Sequence, residues 1–334
     1  MEESNKNLSQ GHKETILNVQ DIVVEFPRPK QSTPFRAVNG VSFDLRKGET
    51  VGLVGESGSG KSMTALSLLG LVPAPGKIIE GSINLREKRI DNLALNELRK
   101  VRGNDIGMVF QDPMTGLNPV RNVGAQLSES ILRHQKVSKV EAMQIAYESL
   151  DAVGIPSPKD RLDAFPHELS GGLRQRVMIA LALINHPEVI IADEATTALD
   201  ATIQAQILDL FRERLSSATM ILITHDMGVA AEICDRIAVM YAGRIVETGT
   251  ITEVLTNPQH PYTLGLLAAV PRFDIRRPKL VPIPGQPPTA EDIVQGCPFS
   301  PRCKFAKSEC EQRPNLENKS NRLVACWFPK GEDL

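Results

Sequence analysis

The 334-residue sequence has no apolar run long enough to cross a membrane and no excess of basic residues. Its longest apolar stretch, VMIALALI at residues 177–184, is far shorter than the ~20 residues that span a bilayer, so any membrane role is expected to depend on a partner. The formal net charge of −2 disfavours a nucleic-acid partner, because binding to phosphate backbones relies on clustered lysine and arginine.

The amino terminus lacks the apolar core of a secretory signal. Residues 1–15 are polar and are predicted to form a disordered tail before the first strand. Without an export signal or a spanning segment, the chain is expected to be soluble and cytoplasmic. Its length allows about two domains, or one large domain with an appendage.

Short β-branched runs bounded by glycine or charge recur along the chain and alternate with helical patterns. A helix is predicted to open at Lys61 and another to cover residues 139–154, which favours an α/β fold with a mostly parallel sheet. After residue 257 proline becomes frequent and is expected to interrupt helices and ladders, so a boundary is predicted near residue 260. The predicted strands are TVGLVG (50–55), DIGMVF (105–110), EVIIAD (188–193), MILITH (220–225) and RIAVMYAG (236–243).

GESGSGKS, residues 55–62, fits the pattern G-x-x-x-x-G-K-[ST] between a predicted strand and a predicted helix. Its glycines allow the backbone N–H groups to face phosphates, while Lys61 would reach the β- and γ-phosphates and the Ser62 hydroxyl would bind Mg²⁺. A glycine-rich turn with a chance lysine is the alternative, and the flanking elements disfavour it. The predicted ATP-binding residues of this loop are Gly55, Ser57, Gly58, Gly60, Lys61 and Ser62.

Two further polar groups follow predicted strands. Asp193 and Glu194 end VIIADE, where a strand meets the carboxyl edge of the sheet; we expect Asp193 to hold Mg²⁺ and Glu194 to polarise the attacking water. His225 ends MILITH at the same edge and could bind a γ-phosphate or that water. The alternatives are a surface acidic pair and a structural histidine.

LSGGLRQR, residues 169–176, lies in the sequence between the phosphate-binding loop and the acidic pair of Asp193 and Glu194. With GESGSGKS, VIIADE, TALD and LITHD in this order, the chain resembles ATP-binding-cassette (ABC) ATPases over roughly residues 15–257. The resemblance implies an ABC ATPase domain at 16–257, with a RecA-like core, an antiparallel β subdomain and a helical subdomain at about 112–180. A C-terminal extension would occupy residues 258–334.

The family works as a head-to-tail dimer, which implies that Ser170, Gly171 and Gly172 close over the nucleotide of a partner cassette. Gln111, in FQDPMTGLNP, matches the glutamine that senses Mg²⁺ and water, and Asp200 matches the D-loop aspartate.

Phe35 is placed like the aromatic residue that stacks on adenine, although a core role is equally open. The sequence departs from the family pattern at Leu173, where many members have glutamine, and at Ala195, where proline is usual. Neither change removes a charged or metal-binding group, so hydrolysis is expected to survive. Ala195 leaves the local backbone less restricted, which affects the expected rate.

NPQHPYTLGLLAAVPR (257–272) and IPGQPP (283–288) resemble the C-terminal extension of ATPase subunits from dipeptide and oligopeptide importers. That resemblance implies ATP-driven peptide uptake at the cytoplasmic face of the plasma membrane. The implied partners are a second, different ABC ATPase subunit, two permease subunits and an extracytoplasmic substrate-binding protein. Uptake of nickel or oligosaccharides, a nucleic-acid or ribosome-linked ATPase, and a non-hydrolysing regulatory cassette remain alternatives.

Four of the five cysteines lie near the end of the chain, separated by five, six and fifteen residues. Disulfides are disfavoured in a reducing cytoplasm, and no C-x₂₋₄-C pair typical of zinc sites occurs. The spacing resembles that of peptide-importer subunits with an iron–sulfur site, which implies a 4Fe-4S cluster; zinc and free thiols remain open. Cys234 is interpreted as an ordinary buried thiol. The proposed ligands are Cys297, Cys303, Cys310 and Cys326.

Overall fold

The computed structural model describes residues 14–28, 33–195, 201–215, 218–269, 282–289, 292, 295–319 and 322–331. The five predicted strands are all present, as β3 and β6 to β9 of the list that follows. The strands are β1 (Thr15–Phe26), β2 (Phe35–Arg46), β3 (Thr50–Val54), β4 (Lys77–Leu85), β5 (Lys88–Arg89), β6 (Ile106–Val109), β7 (Val189–Asp193), β8 (Thr219–Thr224), β9 (Arg236–Tyr241), β10 (Arg244–Thr250), β11 (Glu317–Lys319) and β12 (Arg322–Val324).

The strands form two sheets within the described residues. One is a four-stranded antiparallel sheet in the order β2-β1-β4-β5. The other has the order β11-β12-β10-β9-β3-β8-β7-β6, in which β9, β3, β8, β7 and β6 run parallel and the remaining three are antiparallel. The predicted α/β architecture with a separate antiparallel β part is confirmed.

Successive residues of the central strands enter two different cores. In β7, Ile190 and Ala192 pack into one core while Val189 and Ile191 pack into the other. Side chains of a strand alternate between the faces of a sheet, so a sheet that is covered on both faces needs apolar residues at every position. This explains why these strands read as continuous apolar runs.

Helices cover both faces of the large sheet. The chain between β6 and β7 also forms a separate group of helices, α3 to α7 of the list that follows. The helix predicted to open at Lys61 is present, and Ser138 and Glu141 form a capping box at the start of the one predicted at residues 139–154. The helices are α1 (Lys61–Leu68), α2 (Leu95–Val101), α3 (Pro113–Gly116), α4 (Val123–His134), α5 (Lys139–Ala152), α6 (Pro158–Asp163), α7 (Gly171–Leu183), α8 (Ala201–Leu215), α9 (Met227–Ile233), α10 (Ile251–Thr256) and α11 (Pro261–Ala269). No helix in the described part of the chain has the length and hydropathy needed to cross a membrane.

The proline-rich segment after residue 257 differs from the prediction that proline would interrupt helices and ladders there. Helix α11 forms because Pro261 occupies its first turn, where a missing N–H costs nothing. Further along, β12 pairs with β10, placing Val324 opposite Glu247 in the core sheet. The C-terminal segment therefore extends the large sheet and contributes a helix.

Candidate nucleotide-binding site

The phosphate-binding loop of residues 55–62 joins β3 to α1. Gly60 has a φ of +104°, and a Cβ at this position would lie 2.6 Å from the Ala37 carbonyl oxygen, so only glycine fits. Lys61 is buried, and its Nζ donates to the carbonyl oxygens of Gly55 and Glu56 at 2.8 and 2.9 Å. Burial lowers the pKa of Lys61. The ammonium group of Lys61 is thus held inside the phosphate-binding loop by two of the loop's own carbonyl oxygens.

Asp193 lies at the end of β7 and reaches the first turn of α1. The Ser62 hydroxyl donates to Asp193 Oδ1 at 3.0 Å, which brings the two predicted Mg²⁺ ligands into contact. Burial, together with the neighbouring Glu194 carboxylate, raises the pKa of Asp193 to about 6. The raised pKa means that ionising Asp193 is costly, and a cation bound here would offset that cost by favouring the ionised carboxylate.

Glu194 meets side chains from the two strands that flank β7. Its carboxylate accepts from Gln111 Nε2 at 2.9 Å and lies 3.4 Å from Nδ1 of His225. Gln111 follows β6 and His225 follows β8, so parallel neighbours deliver all three groups to one edge of the sheet.

The backbone at Glu194 is left-handed, with a φ of +45°, a conformation that costs about 1–3 kcal/mol for a residue with a side chain. Its N–H donates to the Ile223 carbonyl oxygen at 2.9 Å, which holds this turn in place. The strained turn directs the Glu194 carboxylate towards Gln111 and His225.

The residues of LSGGLRQR lie at the start of α7. Ser170 is the N-cap of this helix, and its Oγ accepts from the Leu173 N–H at 3.4 Å. Ser170 and Gly171 are exposed, and the space beside the Gly171 Cα is open to 4 Å. Gly172 allows close approach to α8, because a Cβ there would lie 3.0 Å from Ile203 Cγ2. This helix start is therefore open to another molecule.

Phe35 begins β2 and lines the same pocket as Gly58 of the phosphate-binding loop. The Arg28 guanidinium carbon lies 5.6 Å from the centre of the Phe35 ring. The exposed Ser57 lies in the phosphate-binding loop, whereas Asp200 lies outside the described residues.

The four C-terminal cysteines line one small cavity together with the buried His260. Burial raises the pKa values of three of these thiols, in the case of Cys326 to about 12. Within the described ranges, no three His, Cys, Asp or Glu side chains are arranged to hold a metal ion. The thiols therefore gather at one place without adopting a ligating geometry. Cys234 is apart from them, buried at the end of α9, and burial raises its pKa to about 12.

The C-terminal segment also contacts the phosphate-binding loop, which the sequence did not predict. Arg302 pairs with the Glu56 carboxylate at 2.6 Å, and Tyr262 Oη accepts from the Glu56 N–H at 2.8 Å. The only available signal was an acidic residue inside a loop that binds anions.

Comparisons with known proteins agree with this geometry. A family model for ABC transporters matches residues 38–197, and a model for the C-terminal region of oligopeptide/dipeptide transporters matches residues 246–310. A dimeric ATP-binding cassette, solved in a post-hydrolysis state bound to ADP and Pi, is 28% identical with a TM-score of 0.63, covering 70% of this chain and 98% of that one.

Two relatives match almost the whole chain. The dipeptide transport ATP-binding protein DppD of Bacillus subtilis (strain 168) is 49% identical over 320 residues, 94% of this chain and 95% of the relative. The oligopeptide transport ATP-binding protein OppD of Escherichia coli (strain K12) is 48% identical over 330 residues, 98% of this chain and 97% of the relative. The chain therefore belongs to the ABC ATPase family and, within it, to the ATP-binding proteins of dipeptide and oligopeptide transporters.

Proposed function

We propose that this chain hydrolyses ATP to power the import of dipeptides and oligopeptides through a membrane ABC transporter. The observation that carries the proposal is the Glu194 carboxylate, placed between Gln111 and His225 at the sheet edge where Asp193 meets Ser62. In this arrangement Glu194 polarises the attacking water, and His225 contacts that water or the γ-phosphate.

The oxygen groups at this edge fit Mg²⁺, which prefers carboxylate and hydroxyl ligands. Ser62, Asp193 and Gln111 would hold the ion. The Ser62–Asp193 contact of 3.0 Å already brings two of these ligands together. Bound Mg²⁺ would neutralise charge on the transferred phosphate. In this proposal Lys61 and the glycines of the loop bind the phosphates, Phe35 stacks on the adenine, and Asp200, the D-loop aspartate, is a further ATP-binding residue.

The test is Glu194→Gln, which keeps the shape of the side chain and removes its charge. We expect this variant to bind Mg·ATP normally but to turn over at least ~100-fold more slowly, equivalent to about 2.7 kcal/mol of lost barrier reduction. Calorimetry measures binding and phosphate release measures turnover. Near-normal turnover would contradict the role given to Glu194.

The proposed assembly contains a second cassette subunit different from this chain, two permease subunits and an extracytoplasmic substrate-binding protein, with the chain at the cytoplasmic face of the plasma membrane. The exposed start of α7 supports a trans arrangement, in which Ser170, Gly171 and Gly172 bind the γ-phosphate of the partner's ATP. Ser170→Arg is expected to block the partner's site and to leave binding at the chain's own loop intact. Loss of binding at its own loop would contradict the trans arrangement.

The peptide substrate is supported by the names of the relatives and by the matched C-terminal region. Co-purification of the native complex, followed by identification of its membrane subunits and uptake of labelled peptides, tests it. Uptake of nickel or oligosaccharides in place of peptides would reassign the substrate. We also propose that the chain is divided into an ATPase domain at residues 16–257 and a C-terminal extension at residues 258–334.

For the C-terminal cysteines we propose a 4Fe-4S cluster held by Cys297, Cys303, Cys310 and Cys326. Four thiols lining one cavity supply the donor set that such a cluster requires. Protein purified without oxygen should be brown and contain about four irons per chain. Colourless protein with one zinc, or with no metal, would overturn this part and leave the ATPase proposal untouched.

A further inference from the structure

Glu56, the second residue of the phosphate-binding loop, is held at three points. Its N–H donates to Tyr262 Oη at 2.8 Å, and its carbonyl oxygen accepts from Lys61 Nζ at 2.9 Å. Its carboxylate accepts from both terminal nitrogens of Arg302, at 2.6 and 2.9 Å. One loop residue therefore connects the phosphate-binding lysine to two residues of the C-terminal segment.

Arg302 has little freedom to move with the loop. Its side chain is 4% exposed, Nε donates to the Pro284 carbonyl oxygen at 2.8 Å, and a terminal nitrogen donates to Tyr241 Oη at 3.3 Å. Its guanidinium carbon lies 5.7 Å from the centre of the Tyr241 ring. A bidentate pair between a buried arginine and a half-buried carboxylate fixes both geometry and partner.

We propose that Arg302 is a positioning residue for the phosphate-binding loop, acting through the Glu56 carboxylate and not on the nucleotide itself. The inference rests on the proposed function, because it requires that this loop binds ATP. Without Arg302, Glu56 keeps its backbone contacts with Tyr262 and Lys61 but its carboxylate is no longer fixed. The loop then samples conformations in which the Glu56 carbonyl orients Lys61 less well. Binding energy is then spent on ordering the loop, so affinity falls.

The extension offers a matched control for this contact. Arg322 of β12 pairs with Glu247 of β10 at 3.2 Å, and the two side chains are 3% and 0% exposed. This ion pair also joins the C-terminal segment to the core, but it does not contact the phosphate-binding loop. Arg302→Gln and Arg322→Gln therefore each remove one buried arginine that pairs a carboxylate of the core with the C-terminal segment.

Calorimetric titration of the full chain with Mg·ADP and measurement of Tm separate positioning from stability. We expect Arg302→Gln to raise the Kd on the order of tenfold, the scale of one charged hydrogen bond. Arg322→Gln should lower the Tm and leave the Kd unchanged. In turnover assays Arg302→Gln should raise KM with little change in kcat, because Glu194 is untouched, and Arg302→Lys should recover part of the affinity.

A double-mutant cycle tests whether the effect passes through Glu56. Glu56→Gln alone should weaken Mg·ADP binding, and adding Arg302→Gln should then cost little more. An unchanged Kd in Arg302→Gln, or an equal loss in Arg322→Gln, would overturn the proposal, and Glu56→Gln decides the matter if Arg302→Gln fails to fold. Wild-type protein that binds no nucleotide would instead contradict the proposed function.

Discussion

The edge of the sheet that carries Glu194 and the C-terminal segment that carries Arg302 are built on different principles. At the edge, neighbouring parallel strands end side by side, so Gln111, Asp193 and His225 converge because of strand order alone. The C-terminal segment is attached instead by the short pairing of β12 with β10 and by individual side-chain contacts, such as Arg302 with Glu56 and Arg322 with Glu247. The order of the strands thus positions the catalytic groups, whereas side chains from a distant part of the chain support the phosphate-binding loop.

This difference predicts that substitutions in the aromatic contacts of the C-terminal segment affect stability most, whereas substitutions at the edge affect nucleotide binding and turnover most. An aromatic cluster fixes the docked segment: the Tyr241 and Tyr262 ring centres lie 4.6 Å apart, and Phe299 lies 5.3 Å from Tyr241. Tyr262 and Phe299 come from the C-terminal segment, and Tyr241 ends β9 of the core.

The largest expected effect is on Tyr262, which is fully buried. Tyr262→Ala should lower the free energy of unfolding by about 3–5 kcal/mol, because it leaves a cavity between α11 and the core. Tyr262→Phe keeps the ring and removes only the acceptor for the Glu56 N–H, so it should cost about 1 kcal/mol. Denaturant unfolding measures both.

The half-exposed Leu323 in the same segment provides the control, and Leu323→Ala should change stability by less than about 0.5 kcal/mol. If Tyr262→Ala were as mild as Leu323→Ala, the C-terminal segment would not be docked through its aromatic cluster.

At the sheet edge the expected effect is on ligand binding. Lys61→Met replaces the buried lysine with an apolar side chain of similar length, and it should weaken Mg·ATP binding at least ~100-fold, about 2.7 kcal/mol. The loss in Tm should be smaller than that of Tyr262→Ala, because removing a buried charge relieves a desolvation cost. A variant that unfolded as readily as Tyr262→Ala would show that the two regions are not separable in this way.

The same contrast explains how far the sequence could predict the molecule. The central strands and the groups at the sheet edge were predictable, because a local pattern placed Lys61 after β3 and Asp193 at the end of β7. The pairing of Glu56 with Arg302 was not, since the two are 246 residues apart and neither belongs to a periodic pattern. Strands β11 and β12 are three residues each, too short for alternation to reveal them.

The smallest expected effect concerns His260, which is buried between the C-terminal segment and the core. Burial lowers its pKa to about 3, and its Nδ1 accepts from the Tyr262 N–H at 3.0 Å, so the folded state holds the neutral ring. The unfolded chain binds a proton below pH ~6.5. Between about pH 3 and 6.5 the unfolded state therefore binds more protons, and the free energy of unfolding should fall by about 1.4 kcal/mol for each pH unit of acidification.

Above pH ~6.5 this contribution is fully present, because the ring is neutral in both states. His260→Gln removes the titrating group, so its unfolding free energy, followed by denaturant titration between about pH 5 and 8, should depend less steeply on pH than that of the wild type. The difference in slope should approach one proton near pH ~5 and vanish above pH ~7. The variant will be less stable at neutral pH, because the buried ring packs 5.8 Å from Phe299, but the informative quantity is the slope. Parallel pH profiles for the two proteins would show that His260 does not couple docking of the C-terminal segment to pH.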